Sequence, residues 1–222
     1  MPDLISVIIP VKNGSKYIKQ AIESIKSQKM YTEIIVIDDG SEDNTVKIAK
    51  SLSCQVIKHE INKGPVAAKN SGLKIAKGKY ILFLDHDDII KQGTLSRLYN
   101  EITAEEDIYM VMAKVEDFLS SDIKDKNVFC KKEPYWGLFT GAVLMKKELF
   151  DKVGLFDESV YGGEIIELQG KMAKHSLAMK KIDFVAAKRR IHDTNFGRTS
   201  SKKEYENYAA ILRKRLLQKK PD

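Results

Sequence analysis

What this 222-residue sequence lacks narrows its chemistry before any motif is considered. It has two cysteines, Cys54 and Cys130. That is too few for a disulfide framework, and both lie near apolar residues, the setting of buried free thiols. No apolar run reaches the roughly 20 residues of a membrane-spanning helix. The run after Met1-Pro2-Asp3 stops at Pro10, too short for a secretory signal, so a reducing cytoplasm is the expected compartment. Neither G-x-G-x-x-G nor G-x-x-x-x-G-K-[ST] occurs, which disfavours dinucleotide and P-loop chemistry. Aromatics make up 8% of the chain and are not interleaved with a basic motif; no nucleic-acid partner is expected.

What is present alternates in period. Apolar runs at Ile5–Ile9, Glu33–Ile37, Gln55–Ile57 and Tyr80–Leu84 have the continuous character of strands buried on both faces. Between them, Lys16–Gln28, Thr45–Ser53 and Pro65–Lys77 have helical spacing. Gly93–Thr103 reads as a further helix and Ile108–Val115 as extended chain. This β-α-β-α order predicts an α/β fold with a mostly parallel, Rossmann-like central sheet and helices on both faces. The second half is less regular. Glu116–Glu133 reads as loop, Leu138–Met145 as strand, Lys147–Lys152 and Ile165–Lys174 as helices, and Met179–Val185 as extended. A C-terminal helix is expected over Lys202–Gln218.

The polar residues fall at the carboxyl ends of the strands, where open α/β sheets bind ligands. The first strand ends in Pro10-Val11-Lys12-Asn13-Gly14, the second in Asp38-Asp39-Gly40-Ser41 and the fourth in Asp85-His86-Asp87-Asp88. If the chain stays extended, Asp85 and Asp87 point the same way. Two adjacent carboxylates repel unless protons or a cation lie between them, and hard oxygen ligands suit Mn²⁺ or Mg²⁺. A competing reading makes Asp87 or Asp88 the cap of a following helix. Asp-Gly is also a common turn, so one of Asp38 and Asp39 can be structural and the other functional.

In this order the motifs resemble family 2 glycosyltransferases, which have a GT-A fold and use nucleotide-diphosphate sugars. The resemblance is carried by Ser6–Asn13, Ile35–Asp43, Asn62–Gly72, Gly78–Asp88, Thr140–Ala142 and Val153–Glu158. It implies that residues 1–115 form a donor-binding half, 116–200 an acceptor-binding half of the same domain, and 201–222 a basic helical tail. It also implies roles. Pro10, Val11 and Asn13 line the nucleoside pocket, Asp39 accepts from the base, and Lys63 and His86 join the donor-binding set. Asp85 lies near the donor ribose or the metal, and Asp87 ligates Mn²⁺ or Mg²⁺. Lys69 stands where the family usually has arginine, giving a point charge in place of a fork.

Two later stretches follow the same resemblance. The family carries a Glu-Asp pair opening a helix of the acceptor half, with one carboxylate as the base that deprotonates the acceptor. Here Glu164 is followed by Ile165. Glu164 is then the catalytic candidate and Glu167, one turn on, its rival. Arg189–Asn195 corresponds to a late Arg-x-His-x-x-Asn stretch; Arg190 would face the diphosphate and His192 would complete the metal site or hydrogen-bond a phosphate. The implied reaction is an inverting transfer from a nucleotide-diphosphate sugar, with uracil the expected base, to a hydroxyl of a glycan, a lipid-linked sugar or a polypeptide. The alternative is a sugar-nucleotide-binding protein whose transfer is impaired by Ile165. The net charge of +7 is concentrated in Lys202–Lys220, where an amphipathic basic helix can lie on anionic lipid or pack its apolar stripe on the domain.

Overall fold

The computed structural model describes residues 3–124, 128–137, 139–159 and 163–195. Among these residues eight strands form one sheet, in the order β3-β2-β1-β4-β7-β6-β8-β5. The first four are β1 (Ile5–Val11), β2 (Thr32–Asp38), β3 (Gln55–Lys58) and β4 (Tyr80–Phe83). They are connected through α1 (Ile18–Lys26), α2 (Thr45–Ser51) and α3 (Pro65–Ile75). β1 pairs in parallel with both β2 and β4, and β2 with β3. The expected alternation is therefore what folds. The remaining elements are β5 (Ile89–Ile90), α4 (Thr94–Thr103), β6 (Ile108–Leu119), β7 (Val143–Lys146), α5 (Glu148–Val153), α6 (Glu164–Lys174) and β8 (Ala178–Ile191). β7 is antiparallel to both β4 and β6, β6 and β8 are parallel, and β5 is antiparallel to β8.

The sheet separates two cores, as two-layer coverage requires. Ile18, Ala21, Ile22 and Ile25 of α1 and Leu95, Leu98 and Ile102 of α4 pack with Val7, Ile9 and Leu82 on one face. On the other, Val66, Ala68 and Leu73 of α3 and Ile165, Leu168 and Met172 of α6 pack with Ile8, Ile35 and Phe83. α3 lies very close to the sheet: a Cβ on Gly72 would stand 2.4 Å from Ile8 Cγ2.

One connection dictates the sheet's shape. β4 ends at Phe83 and β5 begins at Ile89, yet β7, β6 and β8 lie between them. Four strand spacings on a flat sheet are about 19 Å, close to the ~20 Å reach of six extended residues. The segment is not extended, because Asp88 N–H donates to the Asp85 carbonyl at 3.1 Å. The sheet must therefore curl, bringing β8 toward the end of β4. A 3₁₀ turn, Thr140–Ala142, fills the curl; a Cβ on Gly141 would meet Leu84 Cδ1 at 3.0 Å and Ala187 Cβ at 3.9 Å.

The second half corrects several expectations. β6 continues to Leu119, through residues expected as loop, and β8 continues to Ile191, beyond the expected end at Val185. Each strand supplies the other's backbone partners. Their charged side chains pair as well, Lys188 with Glu116 at 3.5 Å and Arg189 with Asp117 at 4.0 Å. Cross-strand pairing here overrides a polar sequence pattern. The strand expected from Leu138 is confined to Val143–Lys146, and β5 was not anticipated. The expected tail helix, and with it the membrane reading, lies outside the described residues. Among the described residues no helix is long and apolar enough to cross a membrane.

At the start of β1 and β2, Glu33 accepts from Ser6 Oγ at 2.5 Å, Lys77 N at 2.6 Å and Gly78 N at 3.1 Å. This knot leaves no room at Gly78, where a Cβ would lie 2.5 Å from the Ser6 backbone nitrogen and 2.8 Å from the Leu4 carbonyl. Gly78→Ala is expected to destabilise the protein by about 1–3 kcal/mol through overpacking. At about 2–4 °C per kcal/mol for a chain of this size, calorimetric melting should fall by several degrees; an unchanged Tm would show that the knot yields freely.

Candidate active site

The ends of β1 and β2 are knitted by side chains. Asn13 adopts φ 52°, a left-handed conformation that asparagine tolerates better than most residues. Its N–H donates to Ser41 Oγ at 2.8 Å, and its Oδ1 accepts from Glu42 N at 2.9 Å. Gly14 N–H donates to Thr45 Oγ1 at 2.9 Å. A Cβ on Gly14 would stand 2.5 Å from the His86 ring, so the turn after β1 rests directly on the loop after β4. Pro10 and Val11 are buried at the end of β1, and Lys12 and Asn13 are exposed beyond it.

Asp39 is 4% exposed, and protein donors take up most of its accepting capacity. Oδ1 receives Lys63 N–H at 2.8 Å and lies 2.8 Å from His59 Nδ1. Oδ2 receives Gly64 N–H at 2.7 Å. The carboxylate thus anchors the loop that opens α3, where a negative charge also meets the positive end of the helix dipole. Lys63 itself is exposed and enters this network through its backbone.

The loop after β4 is held from β8. Asp87 Oδ2 lies 2.9 Å from His192 Nε2 and accepts from Asn195 Nδ2 at 3.3 Å. Asp88 Oδ1 accepts from Arg190 N at 2.9 Å. Arg190, expected to face a diphosphate, is 6% exposed. Its Nε donates to the Asp87 carbonyl at 2.9 Å and an Nη to Gln20 Oε1 at 2.5 Å. The guanidinium is sandwiched between the rings of Tyr17 and Phe118, 4.6 Å from each centroid. These contacts put Arg190 behind the loop, as its brace. Tyr17 also packs against the His192 ring, with centroids 4.9 Å apart.

From the opposite side α3 reaches the second half of the chain with two successive residues. Lys69, 4% exposed, forms an ion pair with Glu164, the first residue of α6. Asn70 Nδ2 donates to the Phe156 carbonyl and to Glu158 Oε1, both at 2.9 Å, and its Oδ1 accepts from Phe156 N at 3.1 Å. Ile165 is 1% exposed in the second core, so an acid at that position would be buried among apolar side chains. Glu167 faces elsewhere: it accepts from Asp157 N at 3.3 Å and pairs with Lys171 at 2.8 Å.

Asp85 lies among Lys69, Asp87 and Glu164, and its proton affinity registers all three. Burial, with repulsion from Asp87 and Glu164, pushes the Asp85 carboxyl up against the pull of Lys69 and His86. Burial would raise Glu164 too, but the Lys69 ammonium beside it holds it below the usual range. Asp87 is likewise kept low against burial by its hydrogen bond to His192. Among the described residues no three His, Cys, Asp or Glu side chains are grouped closely enough to hold a metal by themselves. Asp85 and Asp87 are nonetheless hard oxygen donors that repel each other, the charge pattern a divalent cation relieves, and substrate oxygens and water commonly fill such sites. The sequence marks no role for His59, Ser71, Tyr17 or Gln20, because their partners are distant in the chain.

Asp88 offers a direct check of these electrostatics. Burial, then repulsion from Asp87 and Asp85, raises its carboxyl well above the usual value. A raised folded-state value means that the native state holds the extra proton, so stability falls as pH rises above the unfolded pKa of about 3.9. Asn keeps the oxygen that receives Arg190 N–H and cannot ionise. Asp88→Asn should therefore gain stability over wild type between pH 4 and pH 7, with the gain vanishing below about pH 3.5. Urea midpoints at the two ends of that range measure it; a pH-independent difference would refute this electrostatic account.

Comparison with known proteins agrees with this fold. The chain is 30% identical over 213 residues to the glycosyltransferase GlyG of Streptococcus pneumoniae serotype 4, covering 83% of this chain and 69% of that protein. Among solved structures it resembles S. aureus TarS 1–349 in complex with UDP-GlcNAc, with TM-score 0.74 and 22% identity, covering 98% of this chain and 68% of that one. It also resembles the mannosyltransferase PcManGT from Pyrobaculum calidifontis in complex with GDP-Man and Mn²⁺, with TM-score 0.75 and 17% identity, covering 98% and 65%. These neighbours share the GT-A fold. The model of glycosyl transferase family 2 matches residues 6–154, well over half of the sequence, and the chain belongs to that family.

Proposed function

We propose that this glycosyltransferase moves a sugar from a UDP-sugar to a hydroxyl of a glycan or glycoconjugate, with inversion at the anomeric carbon. The observation that carries the reading is the meeting of Glu164 with Lys69 beside Asp85, which sets an ionised base near the carboxylates that would hold the metal. Pro10, Val11, Asn13 and Asp39 would hold the nucleoside, with Lys63 and His86 flanking the donor. Of the roughly four acceptor positions of a carboxylate, three on Asp39 are filled by His59, Lys63 and Gly64. One position on Oδ2 is left. That matches the single N3–H of uracil better than the paired N1–H and N2–H of guanine.

In the proposed reaction Glu164 takes the proton of the acceptor hydroxyl as its oxygen bonds to the anomeric carbon. The bond from that carbon to the diphosphate breaks, and its electron pair leaves on the β-phosphate oxygen. Lys69 keeps Glu164 ionised and places a positive charge beside the leaving group. Asp87 and Asp85 would hold Mn²⁺ or Mg²⁺, which supplies charge neutralisation to the diphosphate. His192 and Asn195 orient Asp87 from behind, and Arg190 fixes the backbone that carries it. Outer partners of this kind set ligand geometry.

Glu164→Gln should retain UDP affinity by calorimetry and lower transfer about 10²–10⁴-fold, the usual contribution of a general base. Lys69→Met removes the cation that offsets burial, so Glu164 should hold its proton to higher pH and the acid limb of kcat/KM should move upward. Full transfer by Glu164→Gln would return the role to another acid, with Glu167→Gln the next variant to assay.

A further inference from the structure

His59 lies outside every motif, and with Ser71, near the end of the Asn62–Gly72 stretch, it forms a hydrogen-bonded chain to Asp39. His59 is 7% exposed at the end of β3. Its Nδ1 lies 2.8 Å from Asp39 Oδ1 and its Nε2 lies 3.0 Å from Ser71 Oγ. An ionised carboxylate only accepts, so Nδ1 donates its hydrogen to Asp39 Oδ1, while Nε2 and the Ser71 hydroxyl share the second hydrogen bond. Ser71 lies on α3, two residues after Lys69 and next to Asn70. The ring is therefore gripped at both nitrogens, with one end on the proposed base-reading carboxylate and the other on the helix that carries the Lys69–Glu164 pair.

We infer that His59, locked by Ser71, is a specificity-determining positioning residue that fixes which oxygen of Asp39 is offered to the nucleobase. This rests on the reading of Asp39 given above. Lys63 and Gly64 approach from the backbone of one short loop. His59 comes from β3, a different direction, and closes Oδ1. With Oδ1 closed, only Oδ2 can take a donor from the ligand, and a base presenting two adjacent N–H groups leaves one of them unpaired. An unpaired buried donor is strongly disfavoured. Without the imidazole, Lys63 N–H and Gly64 N–H still hold one oxygen each, but Oδ1 regains an accepting position and either oxygen can take a donor from the ligand.

The test is a titration of the full chain with UDP and with GDP, each with Mn²⁺, with melting temperatures recorded for every variant. Wild type should bind UDP more tightly than GDP. His59→Phe preserves ring volume and deletes both polar contacts. It should weaken UDP binding about tenfold, the order expected for a hydrogen bond to a charged group, weaken GDP less, and so narrow the UDP:GDP ratio. Ser71→Ala leaves the ring in place without its anchor and should move the ratio the same way by a smaller factor. It keeps the test open if His59→Phe does not fold. An unchanged ratio in the variants, or UDP and GDP affinities falling in equal proportion, would overturn the inference. Asp39→Asn separates this from the underlying reading: if that substitution leaves the wild-type UDP:GDP ratio intact, Asp39 does not read the base, whatever His59 does.

Discussion

A lysine ammonium taken out of water is costly unless an opposite charge meets it, and Lys69 is 4% exposed. Its partner Glu164 is 95 positions away in the chain. Breaking that pair would strand either charge in a poorly hydrated setting, a loss on the order of 3–5 kcal/mol for buried pairs. Much of the architecture serves to make the meeting possible. α3 lies against β1 with no side chain on Gly72 to hold it off. Asn70 fastens the chain around Phe156, and Ile165 pins the first turn of α6 into the core. The same cation also answers the repulsion felt by Asp85. The arrangement that stabilises the contact between the two halves thus also keeps the candidate base ionised.

The sequence and the structure agree most closely where burial on both faces leaves a continuous apolar run. β1, β2 and β4 could be placed from Ile, Val, Leu and Phe alone, and with them the polar residues at their ends. The path of the chain between those ends was less legible. Nothing local signals that Leu84–Asp88 must cross a curled sheet, because the curl follows from the strand order. Arg190 is the clearest instance: beside Arg189 and His192 it reads as a phosphate ligand, whereas its surroundings are two aromatic faces and two protein acceptors. Cation-π burial of this kind joins residues more than 70 positions apart and leaves no spacing to detect. His192 was recognisable as belonging near the strand-end acids; its role as a partner of Asp87 became visible only with the distance.

β6 and β8 fail for another reason. A strand facing solvent on one side needs only alternation, and Lys114, Glu116, Lys188 and Arg189 supply a polar pattern that also fits a loop. The decision comes from the partner strand, whose ten paired residues fix the backbone irrespective of local preference. Ile165 has the opposite lesson. Against a family pattern it looks like a lost acid, but its position faces the core, and the neighbouring Glu164 already faces the lysine.

The paired grip of Lys69 and Asn70 has a mechanical consequence. Consecutive residues on an α-helix project about 100° apart, so the two contacts lie on different sides of the helix axis. A single contact would act as a pivot about which one body could swing over the other. Two non-collinear attachments remove that rotation, and α3 behaves as a bolted flange instead of a hinge pin. Relative movement is then left to the connecting loops, while the start of α6 stays fixed to α3.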